Sequence, residues 1–512
     1  ERLAARERAL RDALSRPEDD PRHRPYHLVR DELAAAVQGR RALERELLAA
    51  AGVETGIPAP EALQHVPPLQ DGRTGLLSLA VTEHGTLALL LTAGGLRHSV
   101  VEEFTARQLR ELVQGPDEDP GWGGWLSAYF PQFEALHRLR DAAFWAALMP
   151  QSDEHRRALE RARAACQAAT ARWREAVAET LHALGESLWP ALDETLREAG
   201  VERVILVPQG MRFLLPLHAC PLNGDERACD RYTIAYAPAG TILARLAGGA
   251  GGPPRRRLLI ANPTGDLRYT PSEVLAVERT LGGATTLWEQ AATQAQVVET
   301  AREADLIHFS GHGTYDWRDP EQSGLLLRDP RFKHINRRTG EGIDLFAVAE
   351  MREELQLART RLVTLSACET GLVEMRRGLA EEYIGLPSAL LEAGARAVVA
   401  SLWAVDDLAT ALLMRRFYVE WQQGACPIAE ALRRAQRWLR TRTRPQVEAA
   451  LDELDQLWAP FARQDDDPAM RRRAIRQYWE VREARERLAE MGDPPFAHPY
   501  WWAAFQAVGD VL

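Results

Sequence analysis

Two short segments of the chain place a reactive side chain directly after an apolar run. Residues 306–313 read Leu-Ile-His-Phe-Ser-Gly-His-Gly, and residues 362–371 read Leu-Val-Thr-Leu-Ser-Ala-Cys-Glu-Thr-Gly. His312 and Cys368 therefore stand just past the ends of two predicted strands. In an open parallel sheet, the carboxyl ends of the strands form the edge where ligands bind and chemistry occurs. The pattern predicts that His312 and Cys368 belong to one site at that edge.

A cysteine and a histidine at such an edge supply the groups for amide hydrolysis. A free thiol is only a few per cent thiolate at pH 7, and a neighbouring imidazole stabilises the thiolate or accepts its proton. The thiolate attacks a carbonyl carbon, and the imidazole then protonates the leaving amine. Backbone N–H groups of turn glycines can bind the oxyanion. The alternative for Cys368 is a small buried core residue, which is a common place for a free cysteine.

The elements around these two residues predict an α/β fold. From residue 257 onward, apolar strands alternate with helical patterns, which is typical of βαβ units and a mostly parallel sheet. The strands are apolar on both faces, as expected where helices cover both sides of a sheet. Strands are predicted at 258–261, 284–287, 305–309, 325–327, 361–366 and 396–403, and helices at 272–281, 292–304, 345–351 and 378–393.

The rest of the chain predicts two further regions. Residues 1–55 read as a helical extension, either a plain one or the end of a helical repeat array. Residues 70–247 contain a hairpin near His84-Gly85, a long helical stretch, a buried strand at 203–207 and short strands at 211–217 and 232–237. The glycine-rich stretch 248–254 is the predicted boundary before the third region, 255–512, in which 443–492 reads as a helical insertion.

Composition excludes several classes of protein. The 512 residues carry a net charge of −10, and the basic runs are short, so a nucleic-acid-binding surface is not expected. No apolar run is long enough for a transmembrane helix, so no membrane association is expected. The five cysteines form no C-x-x-C motif, which favours a reducing cytoplasm over a disulfide framework. The chain begins at Glu1 and not at Met, so either a signal segment was removed or, as we expect, it is a piece of a longer protein.

Several motifs, in order along the chain, resemble the CHAT family. These are caspase-like domains that usually follow tetratricopeptide repeats in bacteria. In caspases the catalytic histidine precedes the cysteine by about 50 residues, and here the separation is 56 (368 minus 312). The resemblance covers residues from about 70 to 512 and rests on the motifs at 308–313, 365–371, 391–407 and 499–505, with a further match at 207–218.

The resemblance implies a fold shared with caspases and separase, a mostly parallel sheet flanked by helices. It implies that His312 and Cys368 are the catalytic dyad, and that the N–H groups of Gly313 and Cys368 form the oxyanion hole. Residues 70–247 would be a second, non-catalytic α/β half similar to the pseudoprotease half of separase. The implied activity is a regulated cysteine endopeptidase without cofactor or metal, acting on protein substrates. The family association adds a role in bacterial defence or cell death, with an upstream repeat region or a partner as activator.

Three acidic residues are candidates for substrate binding. In caspase-like folds, the edge after the strand ending at Trp403 lines the pocket for the residue before the scissile bond. Asp406 and Asp407 there would select Arg or Lys through a charge-assisted hydrogen bond. The alternative is that one of the two caps the helix that follows. Glu369 lines the same pocket or lies in a solvent-facing turn.

His308 and the activity of the chain each admit more than one interpretation. His308 is a satisfied core histidine or a support for the site, and zinc binding by His308, His312 and Cys368 lacks the ligand spacing of known zinc motifs. The chain is an active protease, a catalytically silent protease-like scaffold that binds partners, or a thiol hydrolase or transferase for a small acyl substrate. No phosphate-binding glycine motif supports the last of these.

Overall fold

The fold is given by a computed structural model, which describes residues 32, 67–115, 124–149, 151–208, 213–246, 254–316, 319–329, 334–335, 342–367, 385–424, 426–463 and 467–512. The predicted helical extension (apart from residue 32), most of the linker 248–254, Cys368 and Glu369 lie outside these residues. Across the described ranges, no helix combines the length and the apolar character that crossing a membrane requires.

Among the residues that the structure describes, eleven strands form one sheet in the order β3–β2–β1–β4–β7–β17–β16–β15–β10–β8–β9, with the ranges given below. A smaller sheet has the order β11–β12–β14–β13, and β5 pairs with β6. The strands are β1 (Thr74–Thr82), β2 (Gly85–Thr92), β3 (Gly95–Val101), β4 (Arg203–Val207), β5 (Pro221–Asn223), β6 (Glu226–Arg227), β7 (Thr233–Tyr236), β8 (Arg257–Ala261), β9 (Thr285–Trp288), β10 (Leu306–Ser310), β11 (Gly313–Thr314), β12 (Gly324–Arg328), β13 (His334–Ile335), β14 (Gly342–Ala347), β15 (Leu362–Ser366), β16 (Ala397–Ser401) and β17 (Phe505–Gly509).

The large sheet consists of two blocks that run in opposite directions. Strands β9, β8, β10, β15 and β16 are parallel to one another. Strands β17, β7, β4 and β1 are also parallel, with β2 and β3 added as antiparallel edge strands. The blocks meet where β16 pairs antiparallel with β17. The predicted mostly parallel α/β sheet is therefore confirmed, and its two parallel blocks end at opposite edges.

Helices cover both faces of this sheet. They are α1 (Ala106–Gln114), α2 (Gly124–Leu148), α3 (Asp153–Ser187), α4 (Trp189–Glu198), α5 (Ala228–Arg231), α6 (Gly240–Leu246), α7 (Thr270–Leu281), α8 (Gln294–Ala301), α9 (Val348–Glu354), α10 (Leu386–Glu392), α11 (Asp407–Gln423), α12 (Ile428–Thr441), α13 (Arg444–Trp458) and α14 (Pro468–Glu490). Because of this cover, every residue of β10, β15 and β16 is buried, and the apolar runs of the sequence are explained.

Two predicted elements differ from the structure. Residues 345–351 were expected to be helical throughout, but β14 continues through Ala347 and α9 begins only at Val348. The reason is tertiary, since β14 pairs along its length with β12. The strand predicted at 211–217 is also wrong where the structure describes it, because the chain turns into a 3-10 helix from Leu217 to Ala219 after Pro216.

The junction of the two blocks yields a test of stability. Gly509 ends β17 with φ +97°, and a Cβ atom there would lie 2.5 Å from the carbonyl oxygen of Arg396. Gly95 has a similar φ of +106° but no atom within 4 Å of the same position. We expect Gly509→Ala to lower the free energy of unfolding by roughly 2 kcal/mol more than Gly95→Ala, measured by urea denaturation. Equal losses would show that the close approach at the junction has no energetic consequence.

Candidate active site

His312 lies just beyond the carboxyl end of β10. It is 5% exposed, and its carbonyl oxygen accepts the N–H of Leu326 on β12 at 2.9 Å. Ser310, the last residue of β10, is paired in register with Ser366, the last residue of β15. The N–H of Gly311 then bonds to the Ser366 carbonyl at 3.2 Å. These bonds fix the backbone of His312 relative to the end of β15.

The imidazole of His312 is held by Asp266. The Nε2 atom lies 3.0 Å from Oδ1 of Asp266, and both side chains are buried. Asp266 belongs to the loop that follows β8, the other neighbour of β10 in the sheet. Asn262 closes this loop, because its side chain accepts the N–H of Leu267 and donates to the Leu267 carbonyl. The fold therefore supplies a carboxylate that orients the ring.

The surroundings of Asp266 favour its ionised form. Burial raises the pKa of Asp266, but the charge and hydrogen bond of His312 and the hydrogen bond from Thr264 outweigh this, so the pKa lies well below its usual range. The Thr264 hydroxyl donates to Asp266 at 2.5 Å. Asp266 is thus a stable anion next to the imidazole over the whole physiological pH range.

The loop of Asp266 and the strand of His312 are in close contact. A Cβ atom at position 311 would lie 2.7 Å from the ring of Phe309 and 3.1 Å from Pro263. A glycine at 311 is therefore needed for the chain to turn between β10 and the loop after β8.

The chain that leads to Cys368 is described up to Ala367. The Ala367 carbonyl accepts the hydroxyl of Ser401, the last residue of β16, at 2.5 Å. Cys368 and Glu369 lie outside the described residues, so their predicted roles stay predictions. Gly313, the predicted oxyanion donor, begins β11 directly after His312 and is paired with Leu325.

A second histidine lies within β10, four residues before His312. His308 is fully buried in β10, with Nε2 2.9 Å from Oε1 of Glu273 and Nδ1 3.2 Å from the hydroxyl of Tyr418. The Tyr418 hydroxyl donates in turn to Thr364 on β15 at 2.9 Å. These bonds tie α7, β10, β15 and α11 together beneath the site. Among the described residues, no three His, Cys, Asp or Glu side chains are grouped so as to hold a metal ion.

Asp406 and Asp407 lie at the start of α11, after β16, and both already have partners in the protein. Asp406 is the N-cap: its Oδ1 accepts the N–H of Ala409 at 2.9 Å, and its Oδ2 is 2.7 Å from the guanidinium of Arg487. Oδ2 of Asp407 accepts the N–H groups of Arg268 and Tyr269 at 2.8 and 2.9 Å. Their predicted contact with substrate stays a prediction.

Helix α2 also lies near the site. Trp125 of this helix packs against Trp173 and Trp403 with ring centroids 4.6 and 5.7 Å away, which joins α2 and α3 to the end of β16. The charge of Arg140 on α2 contributes to the low pKa of Asp266. His137 responds to the same neighbours: burial, Arg140 and His312 lower its pKa. The field at the site therefore depends on both halves of the chain.

Sequence reasoning missed Asp266. Residues 262–266 read Asn-Pro-Thr-Gly-Asp directly after an apolar strand. That was the available signal, because a polar turn after a parallel strand lies at the same edge as His312. What the sequence does not contain is the strand order, in which β8 is the neighbour of β10.

Comparison with known proteins gives the family. The model of the CHAT domain matches residues 178–510. The chain belongs to the CHAT domain family. The match includes β4 to β17, so it contains the whole block from β9 to β16, the strands β17, β7 and β4 of the other block, and the His312–Asp266 pair. No sequence among curated proteins matches the chain.

Several solved structures are similar to this CHAT domain protein. The separase of Saccharomyces cerevisiae in its complex with securin has a TM-score of 0.43 at 10% identity, over 73% of this chain and 30% of the separase chain. The Arg-specific cysteine proteinase gingipain R has a TM-score of 0.33 at 9% identity, over 66% of this chain and 67% of the proteinase. The chain thus spans about a third of the length of the separase that it matches.

The start of α11 gives a prediction for stability against pH. Burial raises the pKa of Asp407 to about 7 from 3.8, with a further contribution from the charges of Glu273 and Asp406, although its two N–H bonds act in the opposite direction. Because the folded state holds this proton more tightly than the unfolded state, its contribution is lost as the pH rises from about 4 to about 7. The free energy of unfolding of Asp407→Asn, measured by urea denaturation, should therefore increase relative to that of the wild type as the pH rises over this range.

Asp305 provides a matched control. It too accepts two backbone N–H groups, from Arg255 and Arg256, at 2.9 and 3.0 Å. Burial raises its pKa, but these bonds and the charges of Arg359 and Arg256 outweigh it, so the pKa is lowered. Asp305 therefore contributes stability that is lost as the pH falls, and Asp305→Asn should show the opposite trend. Parallel curves for both variants and the wild type would contradict the assignment.

Proposed function

We propose that this CHAT domain is a cysteine endopeptidase that cleaves protein substrates, with Cys368 as the nucleophile and His312 as the general acid and base. The observation that carries the proposal is the His312–Asp266 pair at the carboxyl edge of β10. Its distance of 3.0 Å and its burial match the base-and-orienter arrangement of thiol and hydroxyl nucleophile enzymes.

The register of the sheet supports Cys368 as the partner of His312. His312 is two residues past Ser310, and Cys368 is two residues past Ser366, the residue paired with Ser310. The same number of residues therefore separates each side chain from the end of its strand, and the two strands are neighbours in the sheet. Ala367, the residue before Cys368, is fixed to β16 through Ser401. This register supports the pairing of a nucleophile at position 368 with the imidazole of His312.

The proposed reaction follows from these groups. With Nε2 bonded to Asp266, proton exchange with Cys368 falls to Nδ1 of His312. The thiolate attacks the carbonyl carbon of the scissile peptide, and the N–H groups of Gly313 and Cys368 stabilise the oxyanion. The imidazolium gives its proton to the leaving amine, and a C–N bond breaks as the thioester forms. Water, deprotonated by the imidazole, then hydrolyses the thioester and releases the acid and the thiol, without a cofactor.

Asp266 is a positioning residue in this proposal. Its carboxylate fixes the orientation of the His312 ring and stabilises the imidazolium, as the third member of a triad does. It does not touch the substrate. Its low pKa keeps it ionised while it holds the imidazolium.

A preference for Arg or Lys before the scissile bond remains part of the proposal, with Asp406, Asp407 and Glu369 as its candidates. A substrate guanidinium at Asp406 would compete with Arg487, which is 2.7 Å from the same carboxylate. Because the substrate would only exchange one charge-assisted bond of Asp406 for another, the preference for Arg or Lys is weaker than a carboxylate without a partner would give.

Regulation is proposed from the family resemblance. CHAT domains usually follow tetratricopeptide repeats in bacteria, so we propose an upstream repeat region or a protein partner as the activator, a cytoplasmic location, and a role in defence or cell death. These proposals concern the whole protein, of which the catalytic edge described above is one part.

The direct test is cleavage of a mixed-sequence peptide library. We expect cleavage by the wild type, its loss in Cys368→Ala and in His312→Ala, and its retention in Cys426→Ala. Cys426 is a suitable control because it is a partly buried thiol outside the site, with a pKa that burial raises. The residues before the cut sites test the preference for Arg and Lys.

A second readout does not depend on an activator. If His312 activates Cys368, iodoacetamide should alkylate Cys368 faster at pH 6 than it alkylates Cys426, and His312→Ala should abolish the difference. Equal alkylation rates of the two thiols, or cleavage that survives in Cys368→Ala, would contradict the assignment. If Cys368 is alkylated rapidly but the chain cleaves neither the peptides nor a small thioester, the result would favour a catalytically silent scaffold.

Asp266→Asn tests the positioning role. The amide keeps the size of the side chain but removes the charge that stabilises the imidazolium, so kcat should fall by at least about tenfold with little change in KM. The alkaline limb of the pH–rate profile should also move to lower pH, because the imidazolium loses its counter-ion. An unchanged pH profile with a lower kcat would assign Asp266 a merely structural role.

A further inference from the structure

A cavity of about 560 Å³ lies away from the His312–Asp266 pair, and its wall carries positive charge without negative charge. It is formed by α3, by the turn between β5 and β6, and by the segment 492–499 that precedes β17. Four basic residues line it: Arg174, His182, Arg227 and His498, of which His182 lies 3.2 Å from the carboxylate of Glu186. No Asp or Glu is among the residues that line it.

The two guanidinium groups are not neutralised within the described part of the chain. Arg174 lies over the ring of Trp501, 5.3 Å from its centroid, and its buried Nε has no hydrogen-bond partner. Arg227 donates from Nη1 to the carbonyl of Ala219 at 3.2 Å. Neither has a carboxylate within ion-pair distance in the residues that the structure describes, although Asp230 is near enough to act on Arg227 through its charge.

His498 reports the resulting positive potential. Burial, together with the charges of Arg174 and Arg227, lowers its pKa to about 4, although a hydrogen bond to the Arg174 backbone acts in the opposite direction. Its Nδ1 accepts the N–H of Tyr500 at 3.1 Å. At neutral pH the imidazole is therefore uncharged, and the cavity carries two positive charges from its arginines.

Two other cavities are also lined by arginines, but each of their walls includes one carboxylate. In one, Arg415, Arg416 and Arg442 line the wall together with Glu453, which is ion-paired with Arg415. In the other, Arg256 is ion-paired with Glu303 of the same wall. Converging like charges without a counter-ion destabilise a fold. The wall at Arg174 and Arg227 has no carboxylate at all to balance its charge, which is explained if an anion completes the site.

The size and the walls of the cavity define the class of anion. Two guanidinium forks with a net charge of +2 match the dianion of a phosphate group, which Arg binds through paired hydrogen bonds. The remaining wall is formed largely by rings and small apolar groups, among them Pro221, Pro494, Pro495 and Pro499. A volume of about 560 Å³ exceeds that of a phosphate alone and is typical of sites for small organic ligands.

We propose that this cavity binds the phosphate group of a small organic phosphate ester between Arg174 and Arg227, with the organic part of the ligand against the proline wall. The site is independent of the proposed protease activity, because none of its residues belongs to the His312–Asp266 pair.

Isothermal titration calorimetry on the full chain tests the proposal, with inorganic phosphate, pyrophosphate, adenosine 5′-phosphate and citrate as probes at equal ionic strength. We expect the phosphate probes to bind more tightly than citrate. We expect Arg174→Gln and Arg227→Gln each to weaken the binding at least tenfold. Arg442→Gln, in a cavity that contains Glu453, is the matched control and should leave the affinity unchanged.

Further measurements distinguish a loss of phosphate binding from a loss of folding. Thermal unfolding without ligand shows whether each glutamine variant is folded, and Arg227→Lys, which keeps the charge but loses the fork, should retain part of the affinity. The His498 ring signals in NMR should move when phosphate binds the wild type. Absence of binding by every phosphate probe, tighter binding of citrate, or equal affinity in folded Arg227→Gln would overturn the proposal.

Discussion

The parallel pairing of β10 with β15 is the constraint on which the candidate site depends. It brings the ends of two strands, separated by more than fifty residues in sequence, to the same level of the sheet at Ser310 and Ser366. Helices on both faces keep these strands fully buried. A one-residue slip would turn every side chain of one strand to the opposite face, so burial and the alignment of the site depend on the same pairing.

Buried polar groups reinforce this pairing. His308, within β10, is hydrogen-bonded to Glu273. His312, two residues past the end of β10, is hydrogen-bonded to Asp266. Such buried pairs contribute little net stability, because desolvation offsets the attraction. We infer that they act on specificity instead, because another arrangement of α7, β8 and β10 would leave a buried polar side chain without its partner.

The sequence was sufficient for much of the fold and for part of the site. Apolar runs and glycine turns identified the strands that precede His312 and Cys368, because both signals are local. Asp266 escaped because its importance depends on β8 being the neighbour of β10, and strand order is not a local property. The extent of β14 was misjudged for the same reason, since its pairing with β12 outweighs the helical pattern. The partners of Asp406 and Asp407 also come from distant segments.

The position of β17 has a consequence for synthesis. This strand joins the two blocks of the sheet, yet it follows β16 by 104 residues (505 minus 401). At about 5 to 20 residues per second, the ribosome needs roughly 5 to 20 s to deliver it after β16. During that interval the inner edges of β7 and β16 are unpaired, and such edges recruit strands from other chains. A chaperone that shields them would protect the nascent polypeptide during this interval.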